Sequence, residues 1–112
     1  MKYYRYLYTS ESVKKSDRIK LRLNEHRGLV GYYIIAINKG SNQLDIINSV
    51  YLKLPIYRKN PPIVVGLAKS YDEAVDLVIK MTNEAIEKTG FANIKDYLKI
   101  RVKTKDFTVE ED

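Results

Sequence analysis

The clearest hydrophobic pattern in the chain is the helical stripe of SYDEAVDLVIKMTNEAIEKTG, residues 70–90. Its apolar residues recur at spacings of three and four, as on one side of an α-helix. They are Ala74, Leu77, Val78, Met81 and Ala85, flanked by Val75 and Ile86. Ser70 and Glu73 form an S-x-x-E capping box, and Gly90 is placed to end the helix. The pattern therefore predicts one long amphipathic helix, followed by a short helix behind a cap at Asn93.

Four stretches before this helix have the patterns of β-strands: KYYRYLY, LVGYYIIAIN, LDIINSVYL and IVVGLA. The second and third are separated by KGSNQ, in which Gly40 permits the tight reversal of an antiparallel hairpin. The fourth is short and wholly apolar, which is typical of a strand buried on both faces at the centre of a sheet.

The stretch SDRIKLRLNEHRG, residues 16–28, fits two structures. Ile19, Leu21 and Leu23 alternate as in a strand, but Ile19 and Leu23 also stack at helical spacing between a cap at Ser16 and a stop at Gly28. We favour a short basic helix.

The predicted order is β-α-β-β-β-α with a short extra C-terminal helix. This order is typical of an α+β domain, with an antiparallel sheet of about four strands and helices packed on one face. We expect one domain over residues 1–105, and an acidic tail over residues 106–112 that frays.

The stretch VVGLAKSYDEAVDLVIKMTNEA, followed by TG and KDYL, resembles a pattern in small proteins of clostridial-type Firmicutes. The resemblance covers residues from about 30 to 98. It implies a bacterial, cytosolic protein. No activity is attached to that group, so the resemblance transfers no functional residue.

The composition narrows the class of protein. With 112 residues, 45% of them hydrophobic and 30% charged, the chain suits one small globular domain. No apolar run approaches the roughly 20 residues that span a bilayer, and MKYYRYLY lacks the apolar segment of a signal peptide. We therefore expect a cytoplasmic protein without a membrane partner. The absence of cysteine excludes disulfides, thiolate catalysis and sulfur-ligated zinc.

The chain offers little for catalysis. Its single histidine, His26, lies between Glu25 and Arg27 and is interpreted as a surface residue. Asp72, Glu73 and Asp76 crowd the predicted helix start, where acids offset the helix dipole, so they need no catalytic role. The sequence motifs of phosphate loops, dinucleotide sites and zinc proteases do not occur. We predict a non-catalytic protein without a cofactor or a metal.

Charge is divided unevenly along the chain. Residues 1–60 contain twelve Lys and Arg against four Asp and Glu, whereas residues 61–112 contain eight against ten. This asymmetry indicates an anionic partner, although solubility alone also accounts for a lysine-rich surface. Tyr6, Tyr8, Tyr51 and Tyr57 are candidates for stacking on unpaired bases. The signature of RNA-recognition domains is absent, and the long helix begins SYDEA rather than with the lysines of a double-stranded-RNA domain.

The stretch YLKLPIYRKNPP, residues 51–62, combines cations and tyrosines with three prolines and no acid. We interpret it as a rigid, exposed contact loop, in which Tyr57 has no clear core to enter. In the alternative interpretation, Tyr57 folds back onto the sheet and the cations keep a strand edge soluble.

The predicted function is a small binding module that engages nucleic acid or a nucleoprotein assembly; DNA and RNA stay open. The predicted contact residues are Tyr57, Arg58, Lys59, Lys53, Arg18, Lys20, Arg22 and Arg27. The alternative is a protein-interaction module, either a homodimer or a modulator of a larger host machine that recognises an acidic protein surface. A small-ligand binder or an enzyme of unknown type is the third reading.

Overall fold

A computed structural model of the chain describes residues 2–14, 18–19, 30–37, 43–102 and 109–111. Within these residues the strands are β1 (Lys2–Thr9), β2 (Tyr33–Ile37), β3 (Leu44–Asn48), β4 (Ile63–Ala68) and β5 (Val109–Glu111). The helices are α1 (Pro55–Lys59), α2 (Tyr71–Thr89) and α3 (Ile94–Val102), and a 3₁₀ helix spans Ser49–Lys53. The predicted α+β class is confirmed.

The strands form one sheet in the order β3-β2-β4-β1-β5. Every residue of β4 is buried, which agrees with the central strand predicted from IVVGLA. The prediction of a purely antiparallel sheet is wrong, because β1 and β4 pair in parallel while the other pairs are antiparallel. An alternating pattern reports which face of a strand is buried and carries no information on the direction of its neighbour.

The predicted hairpin is present, with β2 and β3 antiparallel and Ile35 opposite Ile46. Its second strand is shorter than the apolar pattern LDIINSVYL indicates. The strand ends at Asn48, whose side chain accepts a hydrogen bond from the Val50 amide at 3.1 Å and starts the 3₁₀ helix. Gly40, expected in the reversal, lies outside the described residues.

One face of the sheet, called the helix face below, is covered by α2 and α3. The start and the end of α2 are as predicted: the Ser70 hydroxyl accepts a hydrogen bond from the Glu73 amide, and Gly90 takes a left-handed conformation with φ of 81°. The buried side of α2 consists of Ala74, Leu77, Met81 and Ala85. Asn93 caps α3, since its side-chain oxygen accepts from the Asp96 amide at 3.3 Å.

The opposite face, called the segment face, is also covered. Tyr3, Ile34, Val64 and Leu67 of the sheet form a second core there with Ile19 and Leu52, and Tyr57 packs against it. The expectation that helices cover one face only is therefore corrected, because the 3₁₀ helix and α1 cover the other. Arg18 and Ile19 have helical backbone, and the rest of the predicted basic helix lies outside the described residues.

The fifth strand lies in the C-terminal stretch predicted to fray. Val109–Glu111 pairs antiparallel with the start of β1, with Glu111 opposite Lys2 and Val109 opposite Tyr4. This pairing places β1 inside the sheet rather than at its edge over those residues.

Candidate nucleic-acid interface

The predicted contact residues fall into two groups. Lys53 ends the 3₁₀ helix, Arg58 and Lys59 end α1, and all three side chains are exposed. Arg18 is exposed beside Ile19, which is buried on the segment face. The remaining predicted contacts, Lys20, Arg22 and Arg27, lie outside the described residues together with His26.

The 3₁₀–α1 segment, residues 49–59, is a compact double turn rather than an irregular loop. The Leu54 amide donates to the Tyr51 carbonyl at 3.0 Å, and the Tyr57 amide donates to the Leu54 carbonyl at the same distance. Pro55 stands at the first position of α1, where its missing N–H leaves no donor unpaired. The three prolines that suggested a stiff loop therefore lie at the start of a short helix and just after its end.

Tyr57 differs from its predicted role. Its side chain is partly buried against the second core, so the expectation that it has no core to enter is corrected. Leu52, in the same segment, is fully buried in that core. These two side chains anchor the segment to the sheet. The cations of the segment therefore project from a backbone that is held in place.

The exposed apolar side chains of the segment are Tyr51, Leu54 and Ile56. Leu54 and Ile56 had no predicted role, and Tyr57 rather than Tyr51 was the predicted contact residue. Residues three apart lie on one side of a 3₁₀ helix, so burial of Leu52 implies that Tyr51 and Leu54 share another side. That spacing is the signal that would have separated Tyr51 from the core.

Charge differs between the two layers that cover the sheet. Residues 70–102, which include α2 and α3, contain six acids and five bases, whereas residues 49–62 contain three bases and no acid. On the segment face Lys69 adds a further cation, whose Nζ lies 5.8 Å from the centre of the Tyr32 ring. The uneven charge of the sequence is therefore reflected in space, with the segment face the more basic.

Of the tyrosines proposed for stacking, Tyr8 is committed to the core, together with Tyr4 and Tyr97. Tyr8 is buried and its hydroxyl donates to Glu84 Oε2 at 2.5 Å, while Tyr97 donates to the same oxygen at 3.2 Å. The Tyr4 hydroxyl donates to the Leu98 carbonyl at 2.9 Å. These bonds join β1 to α2 and α3, so this polar cluster acts as a structural link across the helix face.

The acids at the start of α2 include one with a shifted pKa. The Ser12 hydroxyl, hydrogen-bonded to Glu73, lowers the pKa of that carboxyl, against an opposing effect of partial desolvation. The Ser70 hydroxyl, 3.2 Å from Oε2, acts in the same direction as Ser12. The buried Ser10 hydroxyl also lowers the pKa of Glu73, but by less. Its Oγ makes no hydrogen bond of regular geometry among the described residues. Glu73 thus ties the start of α2 to the chain after β1.

This contact predicts a pH-dependent contribution of Glu73 to stability. Because folding favours its charged form, the contribution is complete above the ordinary Glu pKa of about 4.3 and is lost as the pH falls through the lower folded value. We expect Glu73→Gln to reduce stability near neutral pH and the difference from the native chain to shrink below about pH 4. Denaturant melts across this range test it, and Ser12→Ala should remove much of the same pH dependence. A difference that stays constant into acid would contradict the assignment.

Comparison with protein-family models, with curated proteins and with solved structures found no match. The resemblance to clostridial-type proteins therefore stays a prediction. Within the described part of the chain, no group of three or more His, Cys, Asp or Glu side chains is arranged to hold a metal ion. No helix described here has both the length and the apolar character that a membrane span requires.

Proposed function

We propose that this chain is a small non-catalytic binding protein that engages nucleic acid through a basic surface made by Lys53, Arg58, Lys59 and Arg18. The observation that carries the proposal is the acid-free 3₁₀–α1 segment, whose three cations are all exposed above a buried anchor. Exposed Lys and Arg side chains bind phosphates and release condensed counterions, which supplies most of the affinity in sequence-independent binding.

The anchoring of this segment supports the proposal further. Leu52 and Tyr57 pack into the second core, so little backbone freedom remains to be lost when a ligand binds. Binding by a preorganised surface avoids much of the ordering cost that a flexible basic loop incurs. Lys53, Arg58 and Lys59 thus need to order only their own side chains.

The opposite layer is a poor partner for phosphate. Asp72 and Asp76 are exposed in the first turns of α2, and Glu87 is exposed near its end. These carboxylates repel an approaching polyanion, which favours the segment face as the bound side. The proposal therefore predicts that phosphates bind to the cations of the segment face and not to the exposed cations of α2.

A second candidate function is recognition of an acidic protein surface by the same segment. Leu54 and Ile56 are exposed beside the cations, and a mixture of apolar and Arg side chains is common in protein interfaces. Salt separates the two functions, since an apolar protein contact weakens little with ionic strength whereas phosphate binding weakens steeply.

The test compares two charge-matched double variants by fluorescence anisotropy with a labelled oligonucleotide. Arg58→Gln with Lys59→Gln removes two cations from the basic surface, and Lys80→Gln with Lys88→Gln removes two exposed cations from α2. We expect the first variant to bind more weakly. Its plot of log K against log salt should also be less steep, with the magnitude of the slope reduced by roughly 1.4 to 1.8 for two lost phosphate contacts. The second variant should change little beyond the general loss of positive charge.

Two outcomes would contradict the proposal. Equal losses in the two variants would show that only net charge matters and that the segment face is not the binding surface. Absence of binding to both single-stranded and duplex probes at low salt would refute nucleic-acid recognition, and retention of a lysate protein by the native chain would then favour the second function.

A further inference from the structure

We infer that the ligand of the basic surface is single-stranded nucleic acid, with one base stacked on Tyr51; this inference rests on the proposed function. Tyr51 has 55% of its surface exposed in the 3₁₀ helix. It belongs to neither core cluster, unlike Tyr57 in the same segment. Its ring is therefore an aromatic surface without a structural use among the described residues.

The neighbours of Tyr51 suit an unpaired strand. Leu54 and Ile56 are exposed between Lys53 and the pair Arg58 and Lys59, so apolar surface and positive charge alternate along one short segment. An unpaired strand offers the faces of its bases as well as its phosphates, and both kinds of surface would be satisfied here. On the outside of a duplex only phosphates and sugars meet the protein, and the apolar side chains would be left against water.

The architecture also disfavours the usual ways of reading a duplex. A major groove about 12 Å wide is read by a helix or a two-stranded ribbon that enters it. α1 has five residues, which corresponds to a length of about 7.5 Å, and it is bounded by Pro55 and by Pro61 with Pro62. Neither is the sheet an open platform for bases, because its two faces are covered by α2 and α3 and by the 3₁₀–α1 segment.

The experiment uses the full chain and two probes, a labelled single strand and the same strand annealed to its complement. Tyr51→Ala is compared with Tyr51→Phe, which keeps the ring, and with Tyr71→Ala, which removes a tyrosine of nearly equal exposure, 56%, from the start of α2. Stacking predicts a loss of roughly five- to 150-fold in single-strand affinity for Tyr51→Ala. Tyr51→Phe and Tyr71→Ala should bind as the native chain does.

A spectroscopic readout distinguishes stacking from a change in structure. The chain contains no tryptophan, so Tyr51→Trp introduces a single reporter at the proposed stacking position. Its emission should be quenched by the single strand and altered much less by the duplex. An emission unchanged by a bound single strand would overturn the stacking contact.

The results separate this inference from the proposed function. If Arg58→Gln with Lys59→Gln weakens binding but Tyr51→Ala does not, or if the duplex binds as tightly as the single strand, the basic surface stands and the inference is wrong. If neither probe binds, the proposed function fails together with it. Selective loss of single-strand binding in Tyr51→Ala, with normal binding in Tyr51→Phe, supports both.

Discussion

Replacing Leu77 with Ala is expected to lower the free energy of unfolding by roughly 2–5 kcal/mol. Leu77 has 7% of its surface exposed and belongs to the core cluster between α2, α3 and the sheet. Truncation removes buried methyl groups and leaves a cavity that its neighbours fill only in part. Urea or guanidinium melts followed by circular dichroism measure the loss.

The control for this prediction is Ile79→Ala, two positions along the same helix. Ile79 has 51% of its surface exposed and belongs to neither core cluster, so its replacement should change stability by about 0.5 kcal/mol or less. The comparison holds helix propensity nearly constant, since both variants introduce Ala into the middle of α2. A loss below about 0.5 kcal/mol for Leu77→Ala would contradict the packing of α2 on the sheet.

The parts of the fold that could be predicted are those that local sequence specifies. The cap at Ser70, the apolar stripe and the stop at Gly90 act within the helix itself, and all three are present in α2. The hairpin of β2 and β3 joins neighbouring stretches, and the wholly apolar run IVVGLA has few positions in a sheet other than the centre.

The errors concern contacts between distant parts of the chain. The parallel pairing of β1 with β4 joins residues about sixty positions apart, and nothing in either stretch encodes the direction of its partner. The stretch after Asn48 continues the β-rich composition of β3 but forms a 3₁₀ helix, because the Asn48 side chain caps the Val50 amide. Composition alone reveals neither the direction in which two strands pair nor the change from a strand to a 3₁₀ helix.

In the candidate site, the exposure of the cations could be predicted from the sequence, whereas the exposure of one tyrosine and the burial of the other could not. Lys53, Arg58 and Lys59 are exposed, as long cationic side chains generally are. Deciding between Tyr51 and Tyr57 required knowing that the segment is helical, since the helical turn determines which ring points toward the sheet. Tyr57 packs on the second core and Tyr51 remains exposed.

Replacing Leu52 with Ala is expected to lower the free energy of unfolding by roughly 2–5 kcal/mol, as for Leu77. Leu52 has 0% of its surface exposed and fills the second core beneath the 3₁₀ helix. The cost has a local consequence as well, because Leu52 and Tyr57 hold the segment that carries Lys53, Arg58 and Lys59. We therefore expect oligonucleotide affinity to fall under conditions in which the Leu52→Ala variant is still folded.

Leu54→Ala provides the matched control, with the same change two positions away in the same segment. Leu54 has 42% of its surface exposed and lies in neither core cluster, so its truncation should cost about 0.5 kcal/mol or less. Denaturant melts of the two variants compare them directly. If Leu52→Ala were as stable as Leu54→Ala, the 3₁₀–α1 segment would not be anchored on the sheet through Leu52. That result would contradict the fixed geometry proposed for the basic surface.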